Sequence, residues 1–502
     1  MLKKTFTGLL LLSGLWAGSC KDSDEEVQID VKNIQVTGLE EGAEVWNTAE
    51  LSVTTENQEG IQQIDFYIGD ESIASDKTAP YEFTWNTREY EDGEYTVKMV
   101  VVTTGGKTVE KSLTVQVKNT LLTLDINQAY LDDLANSDFD TRYMVLSDTL
   151  GNVLHTVQIK QAGTIPLLAP EGFTEGRFDL TEFSLKENLE LDEFHVMYSF
   201  LSLSRGTLWN LHEKQAETTS IRLLKPDNPG QLDSYVLSTN EGSEYNRMDW
   251  GPDNLVIPQS SNRLFVKVET EAQSTFKILE NIKSGEHYEV DLTGFSEWER
   301  MQDVQKEIPG LVKPHSLGGD IKGFFGDDQD GTGFYVSYIE SDDSHFNYTH
   351  AGSTFERYQH SIKFKNQEGV IFYNDNYPGQ SPVFERMEED QVEIIPHNVY
   401  DYTFNVKGDC DYFRSYVHDS DFNLLYLMFG PKDRKQFHEL KTLPEEIKSK
   451  LPGKSEVGYF DVAVFDYEKI DSYEEFIKIY AEEGWEKLEQ MESTGMEIKI
   501  IE

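Results

Sequence analysis

The sequence of 502 residues contains only two cysteines, Cys20 and Cys410. Two thiols form at most one disulfide, so a framework of several disulfides, as in small secreted domains, is excluded. The fold must therefore rely on buried apolar side chains. Hydrophobic residues make up 38% of the chain, which is enough to build real cores.

Long hydrophobic runs are missing as well. The apolar run near the N-terminus, Phe6–Trp16, has 11 residues, whereas a membrane-spanning helix needs about 20. This run follows Lys3 and Lys4 and precedes the small residues 17–19 and then Cys20. A positive start, a short apolar run and small residues are the layout of a secretory signal peptide.

A cysteine directly after the small residues resembles the bacterial lipoprotein signal. The acidic run at residues 21–26 resembles the surface-export signal of Bacteroidetes lipoproteins. The resemblance implies a signal peptide at 1–19, an acylated Cys20, and a tether at 20–27 that holds the protein on the outside of the outer membrane. Ordinary secretion is the alternative, because residues 17–19 also fit a plain cleavage site. Ala17 stands where the lipoprotein signal usually has Leu, Val or Ile.

Positive charge is scarce. The chain has 44 Lys and Arg against 91 Asp and Glu, a formal net charge of −47. Cleavage after Ser19 would remove two lysines and make it −49. The electrostatic field of this negative charge repels phosphate backbones, so a nucleic-acid partner is not expected. It also favours solubility at a cell surface.

Aromatic residues are abundant, at 12% of the chain. Tyr, Phe and β-branched residues between turn signals favour β structure. At about 150 residues per domain the length suggests three or four domains. We therefore predict a mainly β, multidomain protein.

The clearest module is 28–118, where alternating segments are separated by turns such as Asp92-Gly93. Its motifs FYIGD (66–70), TAPYEFTWNT (78–87) and DGEYTV (92–97) resemble those of a bacterial immunoglobulin-like domain. The resemblance implies a seven-stranded β-sandwich without catalytic residues. Trp85 and Tyr95 would then be packing residues.

The remaining chain is divided into a β-rich module at 119–240, a β-rich module with a short helix at 241–395 and an α+β module with a C-terminal helix at 396–502. Three strand–turn–strand segments, 142–159, 263–282 and 411–429, share one form and suggest repeated modules. Chance similarity within a β-rich chain is the alternative. Helices are predicted at 295–310 and 442–453 from capping patterns, and one after Ser472, followed by a final strand at 496–502.

No motif for catalysis is present. The zinc-protease HExxH, the GxSxG elbow, the P-loop and the dinucleotide-binding GxGxxG are all absent from the sequence. We assign no catalytic residue and expect a non-enzymatic protein. A hydrolase with unrecognised carboxylates is a lesser alternative, because 91 acidic residues offer too many pairs to choose among.

Two kinds of ligand site are candidates. Asp327, Asp328 and Asp330 in GDDQDGTG (326–333) place oxygen ligands on a turn, as calcium prefers, although a solvated turn explains them too. No other cofactor is expected. Trp209 and Trp250 are candidate platforms for a glycan, although a lone tryptophan is more often part of a core.

These observations predict an outer-membrane, surface-exposed lipoprotein that acts as a binding or scaffold protein with an immunoglobulin-like spacer. Its expected partners are the membrane through the lipid anchor and either an outer-membrane protein complex or an extracellular polysaccharide. The alternative is a glycan-binding lipoprotein of a polysaccharide uptake system.

Overall fold

A computed structural model describes most of the chain after residue 32. The described ranges are 33–55, 58–190, 193–213, 217–226, 232–247, 254–258, 262–295, 297–307, 316–326, 333–342, 345–365, 371–376, 392–453, 456–489, 491 and 493–501. The chain forms two compact units, the first ending at Lys118 and the second beginning at Asn119. Both units consist mainly of β-strands, which confirms the predicted fold class. None of the helices in these ranges is long and apolar enough to cross a membrane.

The first unit is a sandwich of two sheets, with strand orders β1-β3-β6 and β2-β8-β7-β4-β5. Gly69 and Asp70, at the end of the FYIGD motif, form the turn that joins β4 to β5. Trp85 is 2% exposed, and its ring centroid lies 5.9 Å from that of Tyr95, so both are packing residues as predicted. The strands are β1 (Ile34–Thr37), β2 (Glu44–Val45), β3 (Thr48–Thr55), β4 (Ile61–Ile68), β5 (Glu71–Asp76), β6 (Tyr81–Asn86), β7 (Gly93–Thr103) and β8 (Thr108–Val117).

Six consecutive strands of this sandwich, β3 to β8, follow a pattern that recurs in the second unit. The first strand pairs with the fourth, while the third, second, fifth and sixth lie side by side in that order. All of these pairs are antiparallel. We call each recurrence in the second unit a module.

The second unit contains four such modules. Module 1 comprises β9 (Thr120–Ile126), β10 (Thr141–Ser147), β11 (Val153–Gln158), β12 (Gly163–Leu168), β13 (Arg177–Leu185) and β14 (His195–Ser204), followed by β15 (Thr207–Leu211). Module 2 comprises β16 (Thr218–Leu224), β17 (Ser234–Ser238), β18 (Ser243–Arg247), β19 (Asn254–Pro258), β20 (Arg263–Glu269) and β21 (Ser274–Glu280), followed by β22 (His287–Asp291) and β23 (Glu299–Arg300).

The other two modules have the same order. Module 3 comprises β24 (Gln302–Glu307), β25 (Ser316–Phe324), β26 (Phe334–Asp342), β27 (His345–His350), β28 (Arg357–Lys365) and β29 (Ile371–Asn376). After β30 (Val392–Asn398), module 4 comprises β31 (Asp401–Val406), β32 (Tyr412–Asp419), β33 (Leu424–Gly430), β34 (Gln436–Phe437), β35 (Val457–Tyr467) and β36 (Ser493–Ile501). Two of the expected boundaries, at 240/241 and 395/396, fall inside the β17–β18 hairpin and inside β30.

Modules 1, 4 and 3 join into one sheet of 14 strands, in the order β11-β10-β13-β14-β33-β32-β35-β36-β29-β28-β25-β26-β27-β24. The parallel pair β14–β33 joins module 1 to module 4, and the antiparallel pair β36–β29 joins module 4 to module 3. Module 4 therefore lies between module 1 and module 3, although it follows both of them in the chain. A shared core that draws on all four modules accompanies this arrangement.

The α-helices of the described ranges are short: α1 (Gln128–Asn136), α2 (Glu445–Lys448), α3 (Tyr473–Glu483) and α4 (Trp485–Glu489). The predicted C-terminal helix is confirmed as α3. The side chain of Ser472 accepts a hydrogen bond from the backbone N–H of Glu475. Gly484, with a positive φ of 86°, ends the helix, as glycine does at many helix C-termini.

Two other helix predictions need correction. The segment 295–310 contains the strands β23 and β24, because β24 pairs antiparallel with β27 along its whole length and this pairing outweighs the local capping pattern. In 442–453 the helix is the single turn α2. It begins after Pro444 and has no side-chain cap, so Thr442 is not the N-cap.

Candidate functional site

Most residues singled out from the sequence lie outside the described residues. These are Cys20, Trp250, Asp327, Asp328 and Asp330. Their roles stay predictions. Within the part of the chain that the structure describes, no group of three or more His, Cys, Asp or Glu side chains is arranged to hold a metal ion.

Of the two alternatives for Trp209, the structure supports the core residue and not the glycan platform. Its side chain lies on β15 and is only 2% exposed. The ring centroid is 4.7 Å from that of Phe200 and 5.7 Å from that of Tyr480 on α3. Because the helix covers β15, the indole is a core residue and cannot serve as a platform for a ligand.

One surface of the described residues that could bind a ligand is a face of the 14-stranded sheet beside α3. Here α3 covers part of the sheet. Phe200 and Phe429, on the neighbouring strands β14 and β33, stack at 5.1 Å, and Tyr480 packs over Phe200 at 4.8 Å. Next to this covered part, side chains of module 4 are half-exposed.

We call this uncovered surface the aromatic face and define it by Tyr416, His418, Phe422 and Tyr459. The strand β32 alternates buried and half-exposed residues, so Tyr416 and His418 point to the same side. His418 lies directly opposite Tyr459 on β35 in the strand register. The sheet therefore brings together side chains that are about 40 residues apart in sequence.

The rings of the aromatic face contact one another. The phenol oxygen of Tyr416 lies 3.1 Å from Nε2 of His418. The rings of Tyr416 and Tyr459 meet edge to face at 5.8 Å, and Phe422 lies 5.0 Å from His418 with 56% of its surface exposed. Burial lowers the pKa of His418, so its imidazole is neutral at pH 7. A neutral imidazole has one nitrogen that can accept a hydrogen bond from a hydroxyl group.

Charged groups lie beside these rings. Asp461 is opposite Tyr416 in the strand register and is 5% exposed. Burial, together with the neighbouring Glu497 carboxylate, raises the pKa of Asp461 to about 6. Arg414 pairs with Glu497, with 3.5 Å between Nη2 and Oε2. The site thus combines aromatic surface with carboxylates and a guanidinium group, which together can accept and donate hydrogen bonds.

Sequence reasoning located these strands but missed the site. Tyr416 and His418 lie in the segment 411–429, which was singled out as a strand pair, and the pairing of β32 with β33 confirms that prediction. A signal was available, because YFRSYVHD has Arg, Tyr and His at alternate positions. Such an alternation places three large polar side chains on one face of a strand.

Comparison with known proteins identifies the first unit. Residues 33–99 match the family model of the bacterial Ig domain. This confirms the immunoglobulin-like prediction for the N-terminal sandwich. No curated protein matches the sequence.

Several solved structures share local similarity with the chain. SGBP-B of the Bacteroides ovatus mixed-linkage glucan utilization locus, solved with a mixed-linkage heptasaccharide, is 10% identical over 66% of this chain and 94% of its own, with a TM-score of 0.17. A Clostridium thermocellum CbhA fibronectin(III)-like module is 22% identical over 17% of this chain and 94% of its own, with a TM-score of 0.15. The Thermotoga petrophila endo-beta-1,4-mannanase is 19% identical over 19% and 21%, with a TM-score of 0.16. Because these TM-scores are far below 0.5, none of the three indicates a ligand for this chain.

Proposed function

We propose that this protein is a lipid-anchored surface protein that binds an extracellular polysaccharide on the aromatic face. The observation that carries the proposal is the position of half-exposed Tyr416 and Tyr459 rings beside the buried Asp461 carboxylate. Ligand sites typically combine aromatic surface with a few fixed polar groups. A sugar ring fits this combination, since its C–H face packs on an aromatic ring and its hydroxyl groups reach carboxylates.

The charge of the chain narrows the class of polysaccharide. The net charge of −47 repels a polyanion at long range. At the site itself, the carboxylates of Asp461 and Glu497 balance the positive charges of Arg414 and Lys363, so these four residues leave no excess of positive charge. A neutral polysaccharide is therefore the proposed ligand, and binding without turnover is the proposed activity.

The proposed location rests on the N-terminal sequence. Acylation of Cys20 would place the lipid anchor 13 residues before residue 33, where the match to the bacterial Ig domain begins. The domain would then act as a spacer between the membrane and the second unit. Export to the outside of the outer membrane would give the aromatic face access to polymers that cannot enter the cell.

Affinity electrophoresis tests the binding site. Wild-type protein is run through gels that contain mixed-linkage β-glucan, galactomannan, xyloglucan or glycogen, with alginate as the acidic comparison. We expect a neutral polymer to retard the wild type, and Tyr416→Ala and Phe422→Ala to lose that retardation. Tyr67→Ala, in the bacterial Ig domain, is the matched control and should migrate like the wild type. Equal retardation of all variants, or no retardation by any neutral polymer, would contradict the proposal.

Three further experiments test the anchor, the surface location and the absence of turnover. Cys20→Ala should move the protein from the detergent phase to the aqueous phase, and external protease should digest the wild type on intact cells. A variant that stays membrane-bound, or a wild type that is protected, would overturn the proposed location. Release of reducing ends from the retained polysaccharide would show an enzyme instead of a binding protein.

A further inference from the structure

A second depression continues from the aromatic face towards module 3. It is lined by strands β25, β26 and β28 and by α4. Ser361, Asp320 and Tyr338 stand opposite one another on three neighbouring strands, so their side chains form a row on one face. Tyr338 is 53% exposed, so about half of its surface is open to a ligand.

The polar groups of this second depression have capacity for a ligand. Oδ2 of Asp320 is buried, and within the described ranges no hydrogen-bond donor is paired with it. Trp485 on α4 donates a hydrogen bond from Nε1 to Oε1 of Glu489 at 3.0 Å. A buried carboxylate oxygen without a donor is costly, and the hydroxyl group of a ligand would satisfy it.

The two depressions adjoin each other. Lys363 and Arg414 line both of them. On β36, Gly495 lies directly opposite Phe465, and a Cβ atom at position 495 would be 2.7 Å from the Phe465 ring. Because Gly495 has no side chain, the Phe465 ring packs close to its backbone. Residue 495 therefore places no side chain on the surface between the two depressions.

The path crosses six strands in the order β32, β35, β36, β29, β28 and β25. At about 4.8 Å between neighbouring strands, the five intervals span ~24 Å along the sheet. A monosaccharide or a disaccharide is shorter than this distance. A ligand that contacts both depressions must therefore be an extended chain.

We propose that the aromatic face and the Asp320 depression form one groove that binds several successive sugar units of a linear neutral polysaccharide. The proposal rests on the proposed function and adds the length of the ligand and a second contact region. Tyr416 and Tyr459 contact one end of the bound segment, and Asp320 and Tyr338 contact the other. Affinity should consequently rise with chain length until both regions are occupied.

The test is a microarray of neutral oligosaccharides, printed as cello-, manno-, xylo-, malto- and mixed-linkage gluco-series from disaccharide to octasaccharide. The wild type should bind longer members of one series more tightly than shorter ones. Asp320→Ala and Tyr338→Ala should each weaken binding of the octasaccharide by about tenfold, equivalent to ~1.4 kcal/mol, and leave binding of the trisaccharide unchanged. Asp233→Ala, an exposed aspartate of module 2, is the matched control.

The outcomes separate this inference from the proposed function. Length-independent binding of a series, with no effect of Asp320→Ala or Tyr338→Ala, would overturn the extended groove and leave the aromatic face as the binding site. Binding of no series by the wild type would overturn both. Equal weakening of short and long members by Asp320→Ala would place the carboxylate within a single compact site, which also contradicts the groove.

Discussion

Nη2 of Arg434 lies 2.7 Å from Oδ2 of Asp179, and the two side chains are only 9% and 2% exposed. Asp179 belongs to β13 of module 1, whereas Arg434 precedes β34 of module 4, 255 residues later. Oδ1 of Asp179 accepts a second hydrogen bond from the backbone N–H of Ser202 at 2.8 Å. This buried ion pair therefore joins two modules that are far apart in the chain.

We predict that Arg434→Met destabilises the second unit by about 3–5 kcal/mol, because it leaves the Asp179 carboxyl group buried without its partner. Urea unfolding of the wild type and the variant measures the effect. The double variant Asp179→Leu/Arg434→Met should be more stable than the sum of the two single changes predicts. The control is Arg177→Met, which removes a 2.8 Å pair to Glu474 whose side chains are 48% and 57% exposed. That change should cost less than about 1 kcal/mol, and equal losses for Arg434→Met and Arg177→Met would contradict the prediction.

A second prediction concerns the pH dependence of Asp461. Burial and Glu497 raise its pKa to about 6 in the folded protein, against about 3.9 for an aspartate in an unfolded chain. A carboxyl group with a raised pKa favours folding below pH 4 and loses that contribution as the pH rises through 6.

The amide introduced by Asp461→Asn does not ionise, so the variant does not lose this stabilisation as the pH rises. We expect the variant to gain stability relative to the wild type between about pH 4 and pH 7, by on the order of 1–2 kcal/mol after allowance for solvent screening. Urea unfolding near pH 4 and near pH 7.5 measures the difference. A gain of the same size at both pH values would show that the effect does not come from ionisation of Asp461.

Much of the local structure could be predicted from the sequence. The strand–turn–strand segments 142–159, 263–282 and 411–429 are all antiparallel pairs. Their alternation of apolar and polar residues is a local property, and it survives in the fold because one face of each strand is buried. The three segments do not all occupy the same position within their modules. The first and third are the second and third strands of modules 1 and 4, whereas the middle one is the fifth and sixth strands of module 2.

The site could not be predicted because it depends on pairings between distant segments. Tyr416 and Asp461 meet only when β32 pairs with β35, and the second depression requires β36 of module 4 to pair with β29 of module 3. Neither pairing leaves a periodic signal within a short window of sequence. Trp209 also depends on a distant segment, because it is buried by α3, which lies more than 260 residues later.

The cap of α3 provides a third prediction. Ser472 accepts a hydrogen bond from the backbone N–H of Glu475 at 3.3 Å, and α3 covers the Phe200–Phe429 stack of the sheet. Ser472→Ala should destabilise the second unit by about 1 kcal/mol, since one helix N–H group loses its partner. Ser472→Asp retains an acceptor and should restore most of the loss. Thermal unfolding followed by circular dichroism measures both, and an unchanged midpoint for Ser472→Ala would show that the cap does not contribute.

The contrast between Trp209 and Phe422 provides the last prediction. Trp209 is 2% exposed in the core beside Phe200, whereas Phe422 is 56% exposed on the aromatic face. Trp209→Ala should therefore destabilise the second unit by about 3–5 kcal/mol through loss of buried surface and formation of a cavity. Phe422→Ala should cost less than about 1 kcal/mol, because its ring is already in contact with water.

Polysaccharide retardation, measured at a temperature where both variants are folded, should show the opposite order. Phe422→Ala should lose retardation, and Trp209→Ala should keep it. Loss of retardation in folded Trp209→Ala together with full retardation of Phe422→Ala would move the binding site from the aromatic face to the β15 side of α3.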